Sequence, residues 1–163
     1  MINEKELRIG SIVTVDNPEY HPKLKGLPLR VTGMQERVIK GKSEHCLSLE
    51  HINQKPNTYN ETYSQYMRFI KPIRLSEEIL LEHGATKELH NITLDLQDEK
   101  YLPDGRKLRD GRNLLFSDRH TDHYQIFLRE DDSIIAICMD ETYFHQLQNL
   151  YFDLTNKELE IKL

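Results

Sequence analysis

The chain has 163 residues, with 22 Lys+Arg against 27 Asp+Glu and a formal charge of −5. That length holds one domain or two very small ones, and halves of about 80 residues would each be marginal alone. No stretch approaches the ~18 apolar residues of a membrane span, and the opening MINEKELRIG lacks the apolar run of a signal peptide, so a cytoplasmic protein that does not engage a membrane is expected.

Charge is uneven along the chain. Residues 1–75 carry 12 Lys+Arg and 8 Asp+Glu, whereas residues 76–163 carry 10 and 19. The step near Leu75 predicts two units with different surfaces, 1–74 and 75–163. The first unit reads as β. Ile12–Val15, Leu27–Thr32, Arg37–Lys40, Cys46–Glu50 and Arg68–Lys71 are short runs rich in Val, Ile and Leu, punctuated by Gly and Pro. Lys40-Gly41-Lys42 is a hairpin tip. Strands at this spacing predict a small SH3-like barrel. Glu50–Tyr66, with Tyr59, Tyr63 and Tyr66 spaced through it, reads as a long polar loop.

A short helix follows Pro72. Ser76 caps it, Glu77 and Glu78 suit its positive end, Leu75 and Leu80 have staple spacing, and Gly84 stops it. The second unit reads as α+β. Ile92–Leu96 alternates, while Pro103-Asp104-Gly105 and Asp110-Gly111 mark turns in an Arg-rich insertion. Tyr124–Arg129 and Ser133–Met139 flank Glu130-Asp131-Asp132 as a hairpin. Asp140 or Thr142 then caps a helix whose Tyr143, Leu147, Leu150 and Leu154 form one apolar stripe, predicted to lie on the sheet of that hairpin. Gln146, Gln148, Asn149 and Tyr151 would face elsewhere. Asn156 suits a left-handed cap, and Leu159, Ile161 and Leu163 alternate as a last strand.

Chemistry-bearing patterns are sparse. His120-Thr121-Asp122-His123 is the densest ligand-like cluster, but a strand entering at Tyr124 would put its histidines on opposite faces, so no metal is expected. The chain holds no G-x-G, G-x-S-x-G or H-E-x-x-H, and no cofactor is expected. Cys46 and Cys138 lie in apolar runs and read as buried thiols. Two binding surfaces remain. Lys23, Lys25, Arg37, Lys40 and Lys42 make a basic set on the first unit that suits nucleic acid. Gln146, Gln148, Asn149 and Tyr151 on the last helix, with Tyr59 and Tyr63 of the polar loop, suit a protein partner.

Three strings resemble blocks of one family of small proteins from Bacteroidetes prophages and mobile elements. Glu6-Leu7-Arg8-Ile9-Gly10-Ser11 is similar to its "ELRIGN" opening, with Ser11 in place of Asn. Ile70–Leu80 resembles its "PIPLTEEIL" segment, with Arg74 in place of Pro. His145–Thr155 resembles its "HQLQNLYFALTG" signature, with Asn156 in place of Gly. The resemblance implies a bacterial or phage accessory protein acting inside the cell, and implies no activity and no site residues. The expectation is therefore an α+β protein that is not an enzyme, an adaptor binding a host or phage protein. Nucleic-acid binding by the basic barrel is one alternative, and a small-ligand or enzyme site between the units is the other.

Overall fold

The computed structural model describes residues 2, 4–17, 22–52, 62–89, 91–96, 112–118, 124–130, 133–137 and 143–159. The fold is mixed helix and antiparallel sheet, with two five-stranded sheets. The chain divides into two compact units, one of Met1–Arg74 with Tyr143–Asn149 and Leu163, the other of Leu75–Thr142 with Leu150–Lys162.

The first unit holds β1 (Ile12–Val15), β2 (Leu29–Ile39), β3 (Lys42–His51), β4 (Tyr63–Tyr66) and β5 (Ile70–Lys71), with a 3₁₀ turn at Met67–Phe69. Their order is β4-β3-β2-β1-β5, all neighbours antiparallel, and among the described residues no pairing joins β4 to β5. Side chains alternate across each strand. Val13, Val15, Leu29, Val31, Leu47, Leu49 and Ile70 therefore reach one core, closed by Ile2, Leu7 and Leu24. Burying a side chain of this kind is worth about 1.5–3 kcal/mol. Lys40 and Gly41, both at positive φ (50° and 75°), turn β2 into β3 at the expected tip. Two positive φ values are what a two-residue primed turn requires.

Two expectations are corrected here. Leu27–Thr32 and Arg37–Lys40 are not separate strands but parts of β2, whose register shifts between Val31 and Gly33. Gly33, which reads as a break, sits at a bulge that bends one continuous strand. The polar stretch before Tyr66 is not all loop: Tyr63–Tyr66 is β4, with Gln65 paired opposite Leu47. Gln65 is buried because its Oε1 accepts a hydrogen bond from Asn17 Nδ2 at 2.9 Å, and such pairing removes most of the cost of burying an amide. Cys46 is a buried free thiol, as expected. Cys138 lies outside the described residues, as does the alternating end beyond Leu159.

The second unit opens with α1 (Glu77–Glu82). Ser76 Oγ accepts from Ile79 N at 3.3 Å, as expected for its cap. At the other end Gly84 N–H donates to Leu81 O and Ala85 N–H to Leu80 O, the paired closure that needs a left-handed residue between them. Gly84 supplies it at φ +88°, with open space where a Cβ would project. Gly84→Ala is thus expected to cost about 1–2 kcal/mol through backbone strain alone, read as a lower unfolding midpoint.

β6 (Thr86–Glu88), β7 (Asn91–Asp95), β8 (Asn113–Asp118), β9 (Tyr124–Glu130) and β10 (Ser133–Ile137) follow as an antiparallel meander in the order β10-β9-β8-β7-β6. Ile92, Phe116 and Ile126 are matched across three strands, with Leu94 and Leu114 beside them, and all five are buried. Cross-strand neighbours of this type are the unit from which a sheet face gains stability. The expected hairpin of Tyr124–Arg129 with the following run is present as β9 and β10, with Glu130 opposite Ser133. No helix among the described residues is long and apolar enough to cross a membrane.

The last helix, α2, spans Phe144–Thr155 and ends on Asn156 at φ 56°, the expected left-handed cap. Its buried residues differ from the expected stripe. Phe144, His145, Leu147 and Gln148 are buried, whereas Tyr143, Leu150 and Leu154 are half-buried. Phe144, Leu147 and Gln148 also share a face, at positions i, i+3 and i+4, so the helix is rotated relative to the expectation. Its first half groups with the first unit rather than with the β9–β10 sheet.

Candidate functional site

The rotation of α2 brings together two of the strings singled out above. Glu6–Ser11 is held on β2 by its backbone: Gly10 N–H donates to Val31 O at 2.7 Å, and Val31 N–H to Ser11 O at 2.9 Å. The start of α2 docks there through amides. Gln148 Oε1 accepts from Ile12 N at 2.9 Å, and Gln148 Nε2 donates to Gly10 O at 3.3 Å. Asn149 Nδ2 donates to Glu6 O at 2.7 Å, while Asn149 Oδ1 accepts from Arg8 Nε at 2.7 Å. Arg8 Nη2 also donates to Gln148 O at 3.1 Å. Gln146 Oε1 accepts from Tyr143 N at 3.0 Å, the back-reaching half of a capping box, and its Nε2 donates to Glu6 Oε2 at 3.3 Å.

His145 completes this joint. It is 0% exposed, stacks on Tyr143 with centroids 5.9 Å apart, and brings Nε2 to 3.5 Å from Glu6 Oε2. Its Nδ1 has no hydrogen-bond partner among the described residues. Burial holds its pKa below the ordinary value, because the charged imidazolium would lose its hydration, and the Glu6 carboxylate pulls the other way. The joint is a set of hydrogen-bonded amides around a buried imidazole.

Of the partner-binding residues expected on α2, Gln148 is turned inward. Gln148 is 1% exposed and spends both ends of its amide inside the first unit. Gln146 and Asn149 are half-buried and engaged as described, and Tyr151 is half-buried. Tyr63 is half-buried against the core and meets His51 edge-to-face at 5.6 Å. Tyr59 lies outside the described residues.

The basic set is exposed but divided. Lys23 and Lys25 lie on the turn between β1 and β2, whereas Arg37, Lys40 and Lys42 lie at the far end of the β2–β3 hairpin. Carboxylates are threaded among the latter. Arg37 is opposite Glu44, Glu36 accepts a hydrogen bond from Ser43, and Glu44 pairs with Arg68 at 2.6 Å. Arg68 in turn lies over the Tyr66 and Phe69 rings, 4.7 and 5.0 Å from their centroids. His120 and His123 lie outside the described residues, and among the described ones no three His, Cys, Asp or Glu converge as a metal site.

The surface that sequence reasoning missed is β10. It is the end strand of its sheet, and Ser133 through Ala136 are all exposed. Ile134 is 59% and Ile135 56% exposed, on opposite faces of the strand. Natural edge strands are blunted by charge, proline, a bulge or a cover, and this five-residue strand has neither charge nor proline. Comparison with protein-family models, curated proteins and solved structures finds no match to this chain.

Proposed function

We propose that this is a non-enzymatic binding protein, an accessory adaptor of a prophage or mobile element that works inside the cell through protein–protein contacts. One observation carries the binding reading: the apolar edge strand β10, open on both faces. Apolar surface of this kind is what a protein partner covers. The mobile-element context rests on the resemblance, and the joining of its first and last strings, Glu6–Ser11 and His145–Asn149, supports reading those strings as one structural unit. We read the first unit as an SH3-like barrel, supported by the strand order, the bulged β2 and the 3₁₀ turn between β4 and β5.

The test is capture of partners from the native host, with identification by mass spectrometry, comparing the wild-type chain with Ile134→Thr/Ile135→Thr. A partner lost with the double variant, whose unfolding midpoint stays close to wild type, is the expected result. A partner retained at full yield would overturn the role of β10. The second reading, nucleic-acid binding, draws on exposed Arg37, Lys40 and Lys42 at the hairpin end. It predicts salt-dependent binding to DNA or RNA, lost on Lys40→Ala/Lys42→Ala. Glu36 and Glu44 beside them make it the weaker of the two.

A further inference from the structure

We propose that the outer face of the β2–β3 hairpin binds single-stranded nucleic acid, with Arg37 and Lys42 on its phosphates and Arg68 stacked on a base. This rests on the nucleic-acid reading above and names the form of the ligand and its contacts. From Glu36 to His45 the hairpin has no third strand beside it among the described residues: β1 pairs with Leu29 and Arg30, and β4 with Cys46 through Leu49.

Side-chain alternation sorts the charges of this stretch onto two faces. Leu47 and Leu49 point into the core, and Met34, opposite Leu47, continues their face through Glu36 and Val38. Glu36 accordingly takes its hydrogen bond from Ser43, which is opposite Val38 on that same face. Cys46, Glu44 and Lys42 occupy the outer face, opposite Gln35, Arg37 and Ile39. Arg68 joins them from just beyond β4: Tyr66 is opposite Cys46, and Arg68 reaches Glu44 at 2.6 Å. The outer face thus sets Arg37, Lys42 and Arg68 against one carboxylate, Glu44. Glu36, which weakens the nucleic-acid reading when charge is counted along the chain, faces the other way. Nearer the base of the hairpin, Arg30 and Glu50 are opposite each other and cancel.

Arg68 decides the form of the ligand. Its guanidinium lies over the Tyr66 and Phe69 rings and is held by Glu44, while the side chain stays 52% exposed. A guanidinium fixed in this way is a planar cation at the surface. Unpaired bases stack on such planes and on aromatic rings whatever their sequence. A duplex keeps its bases inside and offers phosphates alone. An acidic peptide matches the charge, but its carboxylate side chains bring no ring to the plane.

The probe is a labelled oligothymidylate of about 15 nucleotides, titrated against the full chain by fluorescence anisotropy. A duplex of the same length and polyglutamate are compared at about 0.1 M salt, where screening confines charge effects to about 10 Å. Saturable binding to the single strand, weakened by added salt and at least about tenfold tighter than to the duplex, is expected. Arg37→Ala/Lys42→Ala should lower the slope of log affinity on log salt by about 1.4, the value for two phosphate contacts. Arg68→Lys keeps the charge and loses the plane, so binding should weaken at least about fivefold with the slope unchanged. Glu44→Gln should tighten binding, while Glu36→Gln should leave it within about twofold. An unfolding midpoint near wild type shows that each variant is folded. Absence of binding to either nucleic acid overturns this inference and the nucleic-acid reading together. Duplex bound as tightly as the single strand overturns the inference alone, as does wild-type binding by Arg68→Lys or an equal response to Glu36→Gln and Glu44→Gln. Polyglutamate that displaces the strand at equal charge makes the face a general anion surface and likewise overturns it.

Discussion

Gln148→Ala should lower the unfolding free energy by about 2–4 kcal/mol, a larger loss than Leu150→Ala despite leucine's greater apolarity. The reason is the asymmetry of buried hydrogen bonds: deleting one partner strands the other without water. Gln148 serves Ile12 N–H and Gly10 C=O together, and Ile12 is itself fully buried. Each stranded group costs about 1–3 kcal/mol. Leu150 is only half-buried, so its truncation falls below the range of about 2–5 kcal/mol for a core leucine. Gln148→Glu sharpens the test. Its carboxylate still accepts from Ile12 N–H but presents an oxygen to Gly10 C=O, so it should remain clearly destabilising. Denaturant unfolding of the three variants checks the order, and a Gln148→Ala loss under about 0.5 kcal/mol, as for an ordinary surface substitution, would show that the joint is not formed as described.

The second large effect is pH dependence from His145. Its native pKa is depressed, chiefly by burial, so the unfolded chain binds a proton that the native state refuses. Stability from this group is complete above the unfolded histidine's value of about 6.5 and is lost as pH falls below it, with a slope of at most about 1.4 kcal/mol per pH unit. Glu6, the carboxylate at 3.5 Å, moderates the loss without reversing it. His145→Gln should flatten the stability profile just below pH 6.5, where exposed carboxylates do not yet titrate. The remaining histidines stay in place in that variant, so a slope that survives unchanged would assign the effect to them.

Local chemistry was legible in the sequence where its partners were close. Ser76 and Gly84 frame α1 because a cap hydroxyl and a left-handed stop act within one turn. The Lys40-Gly41 tip and the β9–β10 pair were readable for the same reason. Readings failed where a polar residue occupied a core position with a distant partner. Gln148 meets Ile12 across 136 positions, and Gln65 meets Asn17 across 48. Neither amide looks buried until the fold supplies its partner, so sequence spacing alone puts the apolar stripe of α2 on the wrong face and makes β4 look like loop. One signal is present in the sequence: Phe144, Leu147, Gln148 and Tyr151 share helical spacing as well as Tyr143, Leu147, Leu150 and Leu154 do.

The candidate surfaces divide in the same way. Exposure of Lys23, Lys25, Arg37, Lys40 and Lys42 follows from their charge. Exposure of Ile134 and Ile135 does not, because Ser133–Ile137 has the composition of an interior strand. Its openness comes from strand order, which leaves β10 last in the sheet. Pattern along one strand carries no information about how many neighbours that strand will have.

Binding through β10, with the polar side of α2 as an internal joint, is the proposal that one measurement decides. Photo-crosslinking in the native host tests it, with the crosslinker placed in turn at Ile135 and at Tyr151, near the joint. The expected result is a discrete adduct with one protein from Ile135 and none from Tyr151. An adduct from Tyr151 with none from Ile135 would contradict the account and return the interface to the helix.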